Sequence, residues 1–103
     1  MDAGLYVVMA TLDAIPGQRG ALTVAARRNA AQSMSHEEGC VGFDVLHDCD
    51  NPDRVHLFTV FTSEEAFAAH RDTSHFHEWL TTSAHLLDPT RAKIHRRAVS
   101  PPL

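Results

Sequence analysis

Eight of the 103 residues are histidines, and two of them stand where proton transfer would need them. His70 follows Ala66 and Phe67 at i+4 and i+3, on the apolar face of a helix. An imidazole titrates at about 6.5, so His70 is suited to take or give a proton near neutral pH. The plainer role is a part-buried histidine bonded to a backbone carbonyl beside a helix break. His75 shares a face with Trp79 at the start of the next helical piece and is read either as catalytic or as a capping residue. Asn29 is the polar residue on the inward face of an earlier helix, flanked by Ala25, Ala26 and Ser33. A buried amide needs partners, so Asn29 either lines a polar pocket between helix and sheet or bonds a nearby carbonyl. Phe43, Phe61, Phe76 and Trp79 are candidate walls for a planar substrate, or plain core.

Arg91, Lys93, Arg96 and Arg97 form the basic cluster, with Arg91 as its candidate substrate-binding residue, suited to a phosphate. Alternation splits the cluster, Lys93 and Arg97 on one face and Arg96 on the other, as in an edge strand protected by charge. The closest histidine pair, His75-x-His77, points about 200° apart on a helix. No His-Glu-x-x-His spacing, cysteine pair or Gly-x-Gly-x-x-Gly appears, so neither metal nor cofactor is expected.

The elements that must position these residues follow from patterning. Leu5–Leu12 is a β-branched and apolar run, read as a strand covered on both faces. From about Gln18 to Ser35 the spacing is helical, with Leu22, Ala25, Ala26, Asn29, Ser33 and Met34 on one face. A second strand begins near Cys40, and Asp48–Asp53 is a turn cluster. Arg54–Phe61 is a third strand, so the second and third form a hairpin. Thr62 to Glu65 has capping-box spacing and opens a helix to about Arg71. Asp72-Thr73-Ser74 interrupts it and caps a second piece, His75 to about Leu87. Lys93–Val99 is the last strand and 100–103 a tail. The order β-α-β-β-α-β is the split βαβ, ferredoxin-like α+β arrangement with an antiparallel four-stranded sheet. One domain over 1–103, with its core at 5–99, is expected. Helices cover one sheet face, yet strands one and three are apolar on both; a second copy of the same sheet is the natural cover, so a homodimer is expected.

Hydrophobic residues make up 44% and charged residues 21%, which excludes a disordered tail, a collagen-like repeat and a coiled coil. A net charge of −4 argues against a nucleic-acid partner. Cys40 and Cys49 bracket one strand about 30 Å long, against a disulfide's span of roughly 4.4–6.8 Å. Both thiols are therefore expected free, and the protein cytoplasmic. The N-terminal Met1-Asp2-Ala3-Gly4 lacks a positive n-region, and the apolar run after it is too short to span a bilayer, so no membrane partner is expected.

The stretch His36–Asp48 resembles the E-x-G-C-x-x-(F/Y)-x-(V/L)-x-x-D block of the antibiotic biosynthesis monooxygenase domain family. Ser63-Glu64-Glu65-Ala66 followed by Ala69–Phe76 is similar to that family's S-x-E-A…H-x-x-(S/T)-x-H block, and the likeness covers about residues 5 to 97. The resemblance implies a dimeric α/β barrel, two sheets facing each other with helices outside. It marks His70, His75 and Glu38, the last beside Gly39, as catalytic candidates, although a turn-stabilising carboxylate is the commoner role for Glu38. Asn29, Phe43, Phe61, Phe76, Trp79 and Arg91 are the substrate-binding candidates. Three functions stay open under it. One is a cofactor-free monooxygenase-like enzyme acting on a small phenolic or quinol substrate in a helix–sheet pocket. The others are an isomerase of a phosphorylated autoinducer-2-derived dione and a non-catalytic ligand-binding dimer. Haem-degrading relatives use an Asn on the first strand, where this chain has Val7, Val8 and Met9. Polyketide-tailoring relatives carry Asn and Trp where Leu57 and Phe61 stand, and an acid at Thr59.

Overall fold

The computed structural model describes residues 4–101. Met1-Asp2-Ala3, at the expected leaderless start, and residues 102–103 of the expected tail lie outside it. The elements run β1 (Tyr6–Asp13), α1 (Arg19–His36), β2 (Cys40–His47), β3 (Arg54–Phe61), α2 (Glu64–Arg71), α3 (Ser74–Ala84) and β4 (Ile94–Val99). The sheet order is β2-β3-β1-β4 with every neighbour antiparallel. This is the expected ferredoxin-like α+β fold, with the last helical segment split in two. No helix among the described residues is long and apolar enough to cross a membrane.

Alternation along β1 and β3 sorts the side chains into two faces. Tyr6, Ala10, Leu12, Val55, Leu57, Thr59 and Phe61 are buried on the face the helices cover. α1 meets that face through Leu22, Ala26, Asn29, Ala30 and Ser33, mostly small side chains that let its axis lie close to the strands. Met34, expected on this stripe, is 48% exposed, although its Sδ still lies 3.9 Å from Cys40 Sγ; the adjacent Ser33 takes the buried position in that turn. In β2 the register shifts between Cys40 and Gly42. That bulge leaves Val41 exposed and lets both Cys40 and Phe43 face inward, which strict alternation over three positions forbids.

The β2–β3 turn is held by Asp48, whose Oδ2 accepts from the backbone N–H groups of Asp50 and Asn51 at 3.0 and 2.8 Å. β1, α3 and β4 begin within one residue of expectation, and two other boundaries differ for reasons visible in the structure. Thr62 remains at the end of β3, donating its backbone N–H to Gly39 O at 2.8 Å, so Ser63 is the cap, accepting from Ala66 N at 3.1 Å. α3 ends at Ala84 rather than near Leu87, because residues 86–88 turn away to meet the strand that leaves β1. Ile15 N donates to Leu86 O and Asp88 N to Asp13 O, at 2.8 and 2.9 Å.

Gly39 decides how closely α2 can dock. A Cβ there would lie 2.5 Å from Ala66 Cβ and 3.3 Å from Thr62 Oγ1. Glycine is thus required by the close approach of α2, and His70 sits one helical turn beyond Ala66. Gly39→Ala is expected to lower the unfolding free energy by about 1–3 kcal/mol, the usual cost of overpacking. Urea denaturation measures it; an unchanged midpoint would show that α2 shifts away freely.

Candidate active site

The turn that ends α1 supplies the charge at the centre of the site. Glu37 leaves the helix in an extended conformation as its C-cap, its backbone N–H still bonded to Ser33 O. Its carboxylate thereby returns beneath α2 and α3. His70 Nδ1 lies 2.9 Å from Glu37 Oε2 and 3.2 Å from Oε1. His75 Nε2 lies 2.5 Å from the same Oε2, and Ser33 Oγ is 3.4 Å from His70 Nδ1. α2 and α3 deliver the two imidazoles from either side of their break. Thr73 caps α3, accepting from Phe76 N, and its hydroxyl donates to His70 O at 2.7 Å.

His70 is 4% exposed and packed among aromatic rings, with centroids 4.9 Å from Phe76, 5.3 Å from Phe61 and 6.4 Å from both Phe43 and Phe67. It lines a cavity of about 440 Å³ between the sheet and the helices, together with Phe43, Phe61, Phe76, Trp79 and Asn29. That is a size ordinary for a small-molecule site. Since Nδ1 is committed to Glu37, Nε2 is the nitrogen left for the cavity. Asn29 is buried, and its Oδ1 has no hydrogen-bond partner. It also lines, with His75 and Trp79, a second recess between α1 and α3.

Burial of the Glu37 carboxylate works to raise its pKa. Hydrogen bonds from His70 and His75, the charge of His70 and the Ser33 hydroxyl outweigh it, so the net shift is downward from 4.5. Burial and the nearby Glu37 charge push the Cys40 thiol up to about 11, which removes it as a nucleophile at neutral pH. Cys40 and Cys49 are both free, as expected.

Oxygen and nitrogen donors of Glu37, His70 and His75 all lie within 4.8 Å of one another, a donor set that spacing along the chain did not disclose. Ligands sharing a tetrahedral zinc stay about 3.3 Å apart, from bond lengths near 2.0 Å. At 2.5 and 2.9 Å the nitrogens are instead at hydrogen-bond distance from one carboxylate oxygen.

Two expected residues fall elsewhere. Glu38 is exposed; its neighbour Glu37 holds the histidines, and Glu37 is also the glutamate that opens the E-x-G-C string. Arg91 lies away from the cavity, its Nε 3.3 Å from Asp13 Oδ2, where Arg54 Nε also binds Asp13 at 2.8 Å. The basic residues lining the cavity are Arg71, Arg97 and His95. Arg97 reaches it because its register partner is the inward-facing Val8.

The sequence model for antibiotic biosynthesis monooxygenases matches residues 5–82. No curated protein matches. Among solved structures, a candidate antibiotic biosynthesis monooxygenase from Nitrosomonas europaea superposes with a TM-score of 0.87 at 25% identity, over 97% of this chain and 93% of that one. Rv0793 from Mycobacterium tuberculosis gives 0.83 at 22% identity, over 97% and 98%. A candidate antibiotic biosynthesis monooxygenase from Caulobacter crescentus gives 0.87 at 17%, over 95% and 91%. The last two likenesses are of fold.

A carboxyl that binds its proton less readily folded than unfolded stabilises the fold fully at neutral pH, and the contribution fades as pH falls through 4.5. Glu37→Gln is therefore expected to cost about 1–3 kcal/mol at pH 7 and to flatten the acid side of the stability profile. Urea unfolding of both proteins at neutral and acid pH measures this; parallel profiles would rule out the linkage.

Proposed function

From the premise that this chain belongs to the antibiotic biosynthesis monooxygenase family, we propose that it is a cofactor-free monooxygenase-like enzyme. Its substrate is a small phenol or quinol bound in the cavity between sheet and helices. The observation that carries this reading is His70, which lines the cavity while Glu37 fixes its Nδ1 from behind. A carboxylate on Nδ1 sets the ring's orientation and stabilises the imidazolium that forms when Nε2 accepts a proton. Nε2 removes the phenolic proton, leaving an electron-rich phenolate. Reaction of the phenolate with O₂ inserts one oxygen atom into the ring as a quinone carbonyl and releases the other as water. The substrate supplies all four electrons, so no flavin or metal is called for. The aromatic shell holds a flat ring.

An isomerase would use the same base. The residue invoked for its phosphate, Arg91, is engaged with Asp13; Arg71 and Arg97 could take that phosphate, but the aromatic lining suits a flat ring, which favours the oxygenase. Consumption of O₂ separates the two, since an isomerase needs none.

The enzyme acts as a homodimer in this reading. The sheet face turned away from the helices carries Phe58, Leu46 and Ile94, which are 38%, 50% and 44% exposed in the single chain. A patch of that kind marks an interface.

His70→Ala is expected to lower kcat/KM for O₂-dependent turnover of a phenolic substrate by about 10²-fold or more. His77→Ala, exposed on α3, should change it little. An oxygen electrode with a panel of phenols and quinols reads both; a fully active, folded His70→Ala would reduce His70 to a structural role. In light scattering the protein is expected at twice the mass of one chain, and Phe58→Asp at one. A single-chain mass for the unaltered protein would end the dimer reading.

A further inference from the structure

We infer that the cavity selects an anionic aromatic substrate, a hydroxyaryl carboxylate, whose carboxylate is met by Arg71 and Arg97 and whose hydroxyl faces His70 Nε2. The inference rests on the cavity being the substrate site, and deepens it. Across the whole chain acids outnumber Lys and Arg, 13 to 9. The cavity lining nonetheless contains no Asp or Glu among the described residues, while Arg71 and Arg97 both reach it. These two come from unrelated elements, the end of α2 and the middle of β4. Neither is in an ion pair among the described residues. Arg71 also lies over the Phe67 ring at 5.6 Å, which fixes its stem. A guanidinium is permanently charged and binds carboxylates through paired N–H donors. His95, the other basic lining group, has its pKa lowered by burial and by Lys93, so the positive charge here belongs to the arginines.

His70 Nε2, left to the cavity by the hold of Glu37 on Nδ1, is the group that receives a ligand O–H. Phe76, Phe61 and Trp79 line the same cavity, so the body of the ligand is flat and apolar. The imidazole and the cations together specify a ring with a hydroxyl and a negative group.

Titration calorimetry with three probes tests this without requiring turnover. The probes are 6-hydroxy-2-naphthoate, 2-naphthol without the carboxylate, and 2-naphthoate without the hydroxyl. The unaltered protein is expected to bind the hydroxynaphthoate at least tenfold more tightly than either of the others. Arg71→Met with Arg97→Met should erase its advantage over naphthol, and His70→Ala its advantage over naphthoate. Added salt should weaken the acids and leave naphthol unchanged. Equal affinities, an advantage that survives loss of both arginines, or no binding of any probe would each overturn the inference. Tight binding without O₂ consumption would instead sink the oxygenase reading and leave the selection intact.

Discussion

One carboxylate oxygen holds the site together. Glu37 Oε2 takes imidazole contacts from two helices and sits at the end of a third, so α1, α2 and α3 are fixed relative to one another around a single part-buried charge. A charge so placed is tolerated only when hydrogen-bonded, and every adjacent structural choice serves that need. The absent side chain at Gly39 lets α2 approach. The extended backbone of Glu37 turns its side chain inward, and the break at Asp72–Thr73 lets the second histidine arrive from a different direction than the first. No single helix could present His70 and His75, five residues apart, to one point with these two nitrogens.

The aromatic shell depends on the same arrangement. With Nδ1 tied down, the His70 ring has one orientation, and the surrounding phenylalanines pack against it. Tyr6, Cys40 and Phe61 form one buried cluster, and the Leu22, Val55 and Trp79 group another; Phe43 packs against both. The cavity opens between them. Its emptiness is thus a consequence of where the rings are propped rather than of missing volume in one core.

Elements whose periodicity is unbroken were legible in the sequence: β3 occupies the expected Arg54–Phe61 residue for residue, and the stripe Leu22, Ala26, Asn29, Ser33 is the buried face of α1. Local hydrogen-bonding chemistry announced the Asp48–Asp53 turn and the Thr73 cap. The misplacements share a cause, since they depend on contacts distant in the chain. The end of α3 is set by Asp13 and Ile15, and the cap of α2 by the bond from Thr62 to Gly39. Glu37 and Glu38 are adjacent and chemically identical; the E-x-G-C string opens on Glu37, but the path of the chain after α1 is what shows it turning inward. Arg91 and Arg97 belong to one basic run; pairing of β4 with β1 aims Arg97 at the cavity, and the Asp13 carboxylate draws Arg91 elsewhere. The convergence of His70 and His75 across a helix break lies beyond any spacing rule.

The same glutamate has an effect on a residue outside the histidine cluster. Cys40 is buried on the inward face beside it, and its thiol is held protonated by that burial and that charge. Peroxides and other oxidants attack thiolates, and each step toward sulfenic and sulfinic acid starts from the anion. A thiol kept neutral in this way is chemically silent. The charge that holds two histidines thus also passivates a neighbouring sulfur, giving the core a built-in resistance to oxidative ageing.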